Sequence, residues 1–220
     1  NSITKWLIKN NYLFYENYDL RVNSWFKTGG ICKLFICPEN ASQLINLVNI
    51  LKSLELKFRI FGSTANCLFL DEVSYGIIIS STKIRNNLTL NDNMITADTG
   101  CLISELSRFA LYKGITDYEG FEGIPGTIGG AVVMNAGAYS SIIENVLIKV
   151  DCLNKNGSIF TLNHKDLAFD HRYSIFQNNR DIIILKCYFK SIKGNKAMIY
   201  KKMNLFHEKR HKHQEFIYPN

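Results

Sequence analysis

Long apolar runs are absent from the 220-residue sequence. The longest runs, such as Ile77 to Ile79 and Ile182 to Leu185, have the length of strands, whereas a membrane-spanning helix needs about 20 apolar residues. The chain does not open on a basic stretch followed by an apolar run and a small-residue cleavage site. The sequence therefore predicts no secretory signal and no membrane partner, and its 46% hydrophobic content is ordinary for a globular protein.

Paired cysteine motifs are also missing. The six cysteines are scattered, none forms a Cys-x-x-Cys pair, and most lie in apolar stretches. This predicts buried, reduced thiols, which are typical of proteins of the reducing cytoplasm. His207 and His211 have a spacing compatible with a metal, but no carboxylate follows the zinc-protease pattern. No metal site is therefore predicted.

Two common nucleotide-binding motifs are absent. Neither a Walker A loop nor a Gly-x-Gly-x-x-Gly fingerprint occurs, which excludes the P-loop and dinucleotide Rossmann classes. A net charge of +7 is compatible with nucleic acid, an anionic lipid surface or a small polyanion such as a nucleotide. Much of the surplus lies between Lys190 and Lys212, in a predicted helix with one solvated charged face. Without a nucleic-acid module or a basic-aromatic repeat, the sequence predicts no nucleic-acid partner.

Hydrophobic periodicity predicts a mixture of helices and strands. Helices are predicted over 3–9, 41–54, 103–112 and 197–212, and strands over 33–37, 58–61, 76–79, 94–97, 146–153, 158–162 and 181–189. The helical crossover in the first third predicts a small α/β unit, and Asn40 is expected to cap its helix. Lys155-Asn156-Gly157 predicts a hairpin turn. The rest of residues 1–21 is expected to be irregular, and the polar stretch from Ser80 to Asn93 is the candidate domain boundary.

The most informative segment runs from Gly120 to Tyr139 and contains six of the 14 glycines. Glycine costs backbone entropy, so this density requires a physical reason. One reason is a large ligand that touches the backbone, with amide N–H groups directed at phosphate oxygens. The other is a tight loop between packed elements. Composition alone leaves both open.

Two further segments carry candidate chemistry. The loop Gly62-Ser63-Thr64-Ala65-Asn66 follows a predicted strand, where α/β folds commonly bind phosphates. The second segment is His171-Arg172-Tyr173-Ser174, in which the planar guanidinium of Arg172 is suited to a carboxylate or a phosphate. An exposed arginine on a turn is the alternative interpretation.

Taken in order, these segments resemble the UDP-N-acetylenolpyruvoylglucosamine reductase family from residue 23 to residue 220. Asn23 to Gly30 is similar to the family's opening signature, in which Trp25 is expected to be a core residue. Gly62 to Asn66 is similar to its flavin pyrophosphate loop. Gly123 to Gly130, with Asn135 to Tyr139, closely resembles its second flavin-contacting segment.

The resemblance implies an α+β fold with two FAD-binding subdomains of the PCMH/vanillyl-alcohol-oxidase type. The subdomains are predicted at 23–80 and 81–192, with an N-terminal segment at 1–22 and a helix at 193–220. The implied reaction is the reduction of UDP-N-acetylglucosamine enolpyruvate to UDP-N-acetylmuramate in peptidoglycan biosynthesis. FAD is the implied cofactor, NADPH the electron donor, a UDP-sugar the partner and the cytoplasm the location, while the oligomeric state stays open.

The resemblance also implies roles for particular residues. Arg172 is similar to the family's catalytic arginine, which polarises the substrate carboxylate. The implied cofactor contacts lie in the two flavin-contacting segments, and they are Gly62, Ser63, Thr64, Ala65, Asn66, Gly123, Ile124, Pro125, Gly126, Thr127, Gly129, Gly130, Asn135, Ala136 and Gly137.

The sequence departs from the family pattern at several positions. Thr64 and Ala65 replace a glycine and a serine, and because a β-branched residue disfavours positive φ, the loop is expected to change shape and to hold FAD more weakly. His171 stands in place of a tyrosine, and Ser140 in place of a glycine. Glu208 to Pro219 resembles the lead-in to the family's catalytic serine, so the chain is expected to stop before that serine and the substrate domain. Two alternatives follow: a non-catalytic binding or regulatory descendant, and a flavin oxidoreductase for a different nucleotide sugar.

Overall fold

The computed structural model describes residues 2–154 and 157–213. It divides into two compact units, Asn1–Arg85 and Asn86–Asn220, and the division falls within the polar stretch singled out in the sequence. Within the described residues, no helix combines the length and the apolar character that crossing a membrane requires.

The first unit is a four-stranded sheet with two helices. Its elements are α1 (Ser2–Lys9), β1 (Leu13–Asp19), β2 (Ile31–Cys37), α2 (Ala41–Ser53), β3 (Phe58–Phe61) and β4 (Tyr75–Ser80). The strand order is β1-β2-β4-β3, with β1 antiparallel to β2 and the other two pairings parallel. The Asn40 side chain accepts a hydrogen bond from the Gln43 amide at 2.9 Å, which confirms the predicted cap of α2. The helical crossover from β2 to β3 confirms the predicted α/β unit.

Strand β1 corrects the expectation of irregular structure before residue 21. Its sequence lacks alternation because it is an edge strand paired only with β2, and its middle residues are exposed. Tyr18 stacks on Phe35 of β2, with ring centroids 4.5 Å apart, and this cross-strand contact helps to hold β1 in place.

The second unit is an antiparallel sheet with helices. Its elements are β5 (Leu88–Asn91), β6 (Met94–Asp98), α3 (Ile103–Lys113), α4 (Ile128–Val133), β7 (Gly137–Ala138), β8 (Ser141–Ile142), α5 (Ile143–Val146), β9 (Leu147–Leu153), β10 (Ile159–Asn163), β11 (Ile183–Lys190) and α6 (Lys196–His213). The main sheet has the order β10-β9-β11-β6-β5. Helix α6 buries Ile199, Met203 and Phe206 at helical spacing and leaves most of its basic residues exposed, as predicted. Two residues of the predicted hairpin turn, 155 and 156, lie outside the described residues.

The six cysteines are free, and five of them are buried while Cys67 is half-buried. Burial raises the pKa of the Cys37 thiol to about 11 and that of the Cys152 thiol to about 12. Because their pKa is raised in the folded state, the protonated thiols stabilise the fold fully below pH 9.0, the ordinary pKa of a thiol. This contribution to stability is lost as the pH rises towards 12.

We therefore expect the native thiols to be almost inert at pH 8, because burial and a raised pKa both suppress the reactive thiolate. A chromogenic disulfide reagent should titrate at most the half-buried Cys67 before denaturation and all six cysteines afterwards. Rapid reaction of several thiols in the folded protein would contradict the described packing.

Candidate functional site

The loop Gly62–Asn66 leaves β3 beside a cavity of about 210 Å³ within the first unit. Gly62, Ser63 and Thr64 line the cavity directly. The remaining lining residues are either apolar or carry a hydroxyl or an amide group, and they are Leu20, Phe35, Phe61, Phe69, Ile78, Asn23, Ser24, Ser80 and Thr82. Apolar surface combined with a few polar groups is the lining that small-molecule sites usually have.

Thr64 adopts the left-handed backbone conformation, with a φ of 59°. Threonine therefore adopts a positive φ here, although a β-branched residue disfavours it. Left-handed geometry costs an L residue roughly 1–2 kcal/mol. The structure offsets this cost locally, because the Thr64 hydroxyl lies 3.0 Å from the Asn23 carbonyl oxygen and 2.7 Å from that of Ser63. The Cys67 amide also donates to the Thr64 carbonyl at 3.0 Å, which closes a tight turn.

Ser63 carries the most informative atom of this loop. Its Oγ is buried and has no hydrogen-bond partner among the described residues. An unsatisfied buried hydroxyl costs about 1–3 kcal/mol, so native proteins keep few of them. A ligand oxygen in the adjoining cavity would satisfy this hydroxyl. Of the other loop residues, Ala65 is half-buried and Asn66 is exposed.

The segment from Asn23 to Gly30 corrects the prediction for Trp25. That side chain is 40% exposed and Phe26 is 36% exposed, so neither is a core residue. The small residues of the segment are the ones that pack. A Cβ added to Gly30 would lie 2.0 Å from the Val73 carbonyl oxygen, and the Ser24 hydroxyl donates to the Thr28 carbonyl at 2.6 Å.

Some glycines of the second unit's glycine-rich segment, Gly120 to Tyr139, are required by packing. A Cβ on Gly129 would lie 2.0 Å from the Thr99 Oγ1, and a Cβ on Gly120 would lie 2.2 Å from the Ala138 carbonyl oxygen. Gly137 is similarly confined, at 2.7 Å from the Ser141 carbonyl oxygen. The tight-loop interpretation therefore holds for these three positions.

Other glycines of the same segment have no such packing reason. Among the described residues, a Cβ on Gly126 would meet nothing within 4 Å, and a Cβ on the exposed Gly130 would meet only the Thr127 Oγ1, at 3.4 Å. Gly123 and Gly126 have positive φ values of 78° and 141°, which favour glycine for the turn itself. Thr127 caps α4, because its Oγ1 accepts from the Gly130 amide at 3.3 Å. Open space at Gly126 and Gly130 agrees with a ligand that approaches the backbone.

The remaining implied contacts of this segment differ in exposure. Pro125 is exposed, Ile124 packs partly against the core and Ala136 is buried.

Asn135 is committed to contacts within the protein. Its side-chain amide donates to the Glu144 carboxylate at 2.6 Å and to the Asp170 carbonyl at 3.0 Å, and its Oδ1 accepts from the Glu144 amide at 3.1 Å. The side chain is buried, so these bonds satisfy it where water does not reach. Asn135 therefore joins the glycine-rich segment to the turn that carries Arg172.

Arg172 lies in a tight turn closed by two hydrogen bonds between Asp170 and Tyr173, at 3.2 and 3.1 Å. Its backbone has a φ of 56°, and its side chain is exposed. Within the described residues its guanidinium forms no ion pair. The fully buried Ser174 donates through its hydroxyl to the Val133 carbonyl at the end of α4, at 2.7 Å. The structure thus brings the glycine-rich segment and Arg172 together.

The end of α6 packs on the same glycine-rich segment, which the sequence did not reveal. The Tyr139 ring stacks on Phe206 with centroids 4.4 Å apart and an interplanar angle of 4°. The guanidinium of Arg210 lies 5.5 Å from the Tyr139 ring, and its Nη2 donates to the Glu122 carbonyl at 3.2 Å. Residues 214–220, which resemble the approach to a catalytic serine, lie outside the described residues.

Among the described residues, 2–154 and 157–213, no three His, Cys, Asp or Glu side chains lie close enough together to hold a metal ion. His211 Nδ1 lies 3.0 Å from the His207 carbonyl oxygen, within the helix.

Comparison with known proteins gives one consistent result. Residues 32–163 match the FAD binding domain family. The chain is 34% identical over 206 residues to the UDP-N-acetylenolpyruvoylglucosamine reductase of Caldanaerobacter subterraneus subsp. tengcongensis, covering 94% of this chain and 68% of that protein. It is 35% identical over 200 residues to the enzyme of the same name from Rickettsia typhi, covering 90% of this chain and 65% of that protein. The chain thus spans about two thirds of the length of these relatives.

Solved structures agree on the fold. The UDP-N-acetylenolpyruvylglucosamine reductase from Thermus caldophilus matches with a TM-score of 0.74 and 23% identity, over 93% of this chain and 71% of that one. A cholesterol oxidase from Brevibacterium sterolicum matches with a TM-score of 0.62 and 14% identity, over 84% of this chain and 38% of that one. These likenesses confirm the predicted α+β FAD-binding fold.

Proposed function

Because this chain belongs to the UDP-N-acetylenolpyruvoylglucosamine reductase family, we propose that it takes part in the NADPH-dependent reduction of UDP-N-acetylglucosamine enolpyruvate to UDP-N-acetylmuramate in peptidoglycan biosynthesis. The chain carries an FAD binding domain, so FAD is its cofactor. The observation that carries the proposed reaction is the exposed Arg172 turn held against the glycine-rich segment.

The residues of both units fit FAD. In the first unit, the unpartnered Ser63 Oγ beside the cavity suits a phosphate oxygen, and the left-handed Thr64 keeps the loop turned. In the second unit, the space at Gly126 and Gly130 leaves the backbone accessible to a ligand. When bound, the flavin supplies the hydride chemistry, while the protein supplies binding and orientation.

Arg172 has the properties that the proposed reaction needs. Addition of hydride to an enolpyruvyl double bond builds negative charge toward the substrate carboxylate. A guanidinium that stays charged and binds a carboxylate through two hydrogen bonds stabilises that charge more in the transition state than in the ground state. Because no ion pair holds the guanidinium among the described residues, Arg172 need not break one to bind substrate.

The proposed partner and location are supported by charge and cysteine chemistry. A net charge of +7 favours anionic ligands such as FAD and a UDP-sugar. We include a cytoplasmic location in the proposal, because six free thiols suit a reducing compartment.

Replacing Ser63 with alanine is expected to separate cofactor binding from stability. Since the Ser63 hydroxyl is buried without a partner among the described residues, the variant without FAD should be as stable as the parent or up to about 1 kcal/mol more stable. If the hydroxyl donates to a phosphate, FAD affinity should fall by roughly 10- to 100-fold, the value of one hydrogen bond to a charged group. Denaturation curves and FAD titrations measure the two effects, and an unchanged FAD affinity would remove Ser63 from the cofactor site.

Anaerobic flavin reoxidation tests the proposed reaction. The FAD-loaded chain is photoreduced and mixed with UDP-N-acetylglucosamine enolpyruvate, and the return of the oxidised flavin spectrum is followed. Rapid return with this substrate, and none with UDP-N-acetylglucosamine, supports the proposal. Return only with another nucleotide sugar would instead favour an oxidoreductase of different specificity. A reduced flavin that no such substrate reoxidises would favour the non-catalytic alternative.

A further inference from the structure

We propose that Gln177 is a positioning residue that fixes Arg172 relative to the glycine-rich segment; the inference rests on the proposed function of Arg172. Gln177 ends the short 3-10 turn Ile175–Gln177, and its side chain is half-buried. Nothing in the sequence marks it, because its side-chain partners Arg172, Met134 and Val133 lie five, 43 and 44 residues away.

The contacts of Gln177 use both N–H donors of its amide. The Nε2 donates to the Arg172 carbonyl at 2.8 Å and to the Val133 carbonyl at 3.2 Å, and it also lies 3.7 Å from the Met134 Sδ. A primary amide nitrogen has two donors, so one side chain serves both carbonyls. Gln177 therefore connects Arg172 directly to the end of α4, within a single unit of the protein.

The backbone of Arg172 needs such support. Its φ of 56° lies in the left-handed region, which an L residue with a long side chain seldom adopts. A residue persists there when the surrounding structure holds it, and such residues concentrate at functional sites. No ion pair of the described residues fixes the guanidinium, so its location depends on how firmly its own backbone is held.

Neighbouring hydrogen bonds do not duplicate this connection. Ser174 reaches Val133 but contacts neither atom of the Arg172 peptide, and Asn135 holds the Asp170 carbonyl at the other side of the turn. Among the described side-chain hydrogen bonds, that of Gln177 is the one that joins Arg172 itself to the glycine-rich segment. Loss of Gln177 should therefore loosen Arg172 without breaking the turn.

Three variants test this role. Gln177→Met keeps a similar volume and removes both donors, whereas Gln177→Lys retains a nitrogen that donates to carbonyls. Asn179→Leu is the matched control, because Asn179 follows the same 3-10 turn and, among the described residues, its side-chain amide donates only to the local Ile175 carbonyl, at 3.1 Å. Melting temperatures of all three establish that they are folded.

The first readout needs neither cofactor nor activity. Amide hydrogen exchange across residues 170–176 should become about 10-fold faster or more in Gln177→Met, because local opening governs exchange of such turns. Exchange should stay at the parent rate in Asn179→Leu and return toward it in Gln177→Lys. Unchanged exchange in Gln177→Met would overturn the inference.

The second readout is flavin reoxidation by UDP-N-acetylglucosamine enolpyruvate. The position of Arg172 affects the energy of the transition state more than it affects substrate binding. Gln177→Met should therefore slow flavin reoxidation at saturating substrate by roughly 10- to 100-fold. The substrate concentration giving half the maximal rate should change by less than about 3-fold, as expected for an interaction used in the transition state. Gln177→Lys should recover most of the rate.

The outcomes separate this inference from the proposed function. A normal rate in Gln177→Met, with a slow rate in Arg172→Met, would overturn the role of Gln177 and leave the proposed function standing. A normal rate in Arg172→Met would contradict the proposed function itself. Equal losses in Gln177→Met and Asn179→Leu would show a general weakening of the 3-10 turn and would also overturn the inference.

Discussion

Replacing Arg172 with methionine is expected to slow flavin reoxidation by UDP-N-acetylglucosamine enolpyruvate by about 10²- to 10³-fold, the usual cost of removing one preorganised group from a developing anion. The physical reason is that methionine keeps an unbranched side chain but removes the fixed charge and the bidentate donors. Because Arg172 is exposed and pairs with no carboxylate among the described residues, its loss should leave the fold intact. FAD affinity should also stay unchanged.

Arg180 provides the matched control. It is an exposed arginine in the turn before β11, so Arg180→Met removes the same charge from the same unit. Stopped-flow absorption at several substrate concentrations measures both variants. Equal effects of the two substitutions would mean that only the overall charge matters, and this would contradict a specific role for Arg172.

The second large effect is expected at Gly129. Alanine there would place its Cβ 2.0 Å from the Thr99 Oγ1 and 3.2 Å from the Thr99 carbonyl oxygen. Thr99 has little freedom to move, since its amide donates to Leu185 at 3.1 Å and its carbonyl accepts from Gly129 at 2.9 Å. Overpacking of this kind costs about 1–3 kcal/mol, and we expect the upper part of that range because the clash is with an anchored residue.

Gly130→Ala is the companion variant, and it tests the ligand interpretation of the glycine-rich segment. Gly130 is exposed, and its added Cβ would have ordinary contacts only, so the variant should be as stable as the parent or about 0.5–1 kcal/mol more stable. If FAD approaches the backbone there, its affinity should nevertheless fall by roughly 10-fold, because a methyl group occupies the approach. Denaturant unfolding and FAD titration of both variants give the comparison. A stable Gly129→Ala protein would disprove the packing account, and unchanged affinity in Gly130→Ala would place the cofactor elsewhere.

The sequence predicted the elements whose periodicity reflects burial. Helix α2 and strand β3 were predicted within one residue, because α2 buries leucines at helical spacing and β3 ends at a glycine turn. Strand β1 was missed because an edge strand is specified by its partner, here through the stacking of Tyr18 on Phe35. Helix α4 was missed because it contains two glycines, which have a low helix propensity. Threonine is nevertheless a typical N-cap residue, so Thr127 did indicate the start of this helix.

The loops of the candidate site could be predicted from the sequence, whereas the hydrogen bonds that connect them could not. The glycine-rich segment and Arg172 stand out by composition and resemblance, but the bonds that join them depend on tertiary contacts. Trp25 shows the converse error: a large apolar residue was assigned to the core, while the structure buries the small Ser24 and Gly30 of the same segment. Thr64 shows that intrinsic preference is overridden when a side-chain hydroxyl has a local partner.

Visible absorption of the purified chain, before and after addition of FAD and desalting, tests the central claim most directly. The account predicts that the flavin bands are retained after desalting, since the family match, the Ser63 hydroxyl and the accessible backbone at Gly126 all favour the cofactor. A colourless protein that fails to retain added FAD would contradict it.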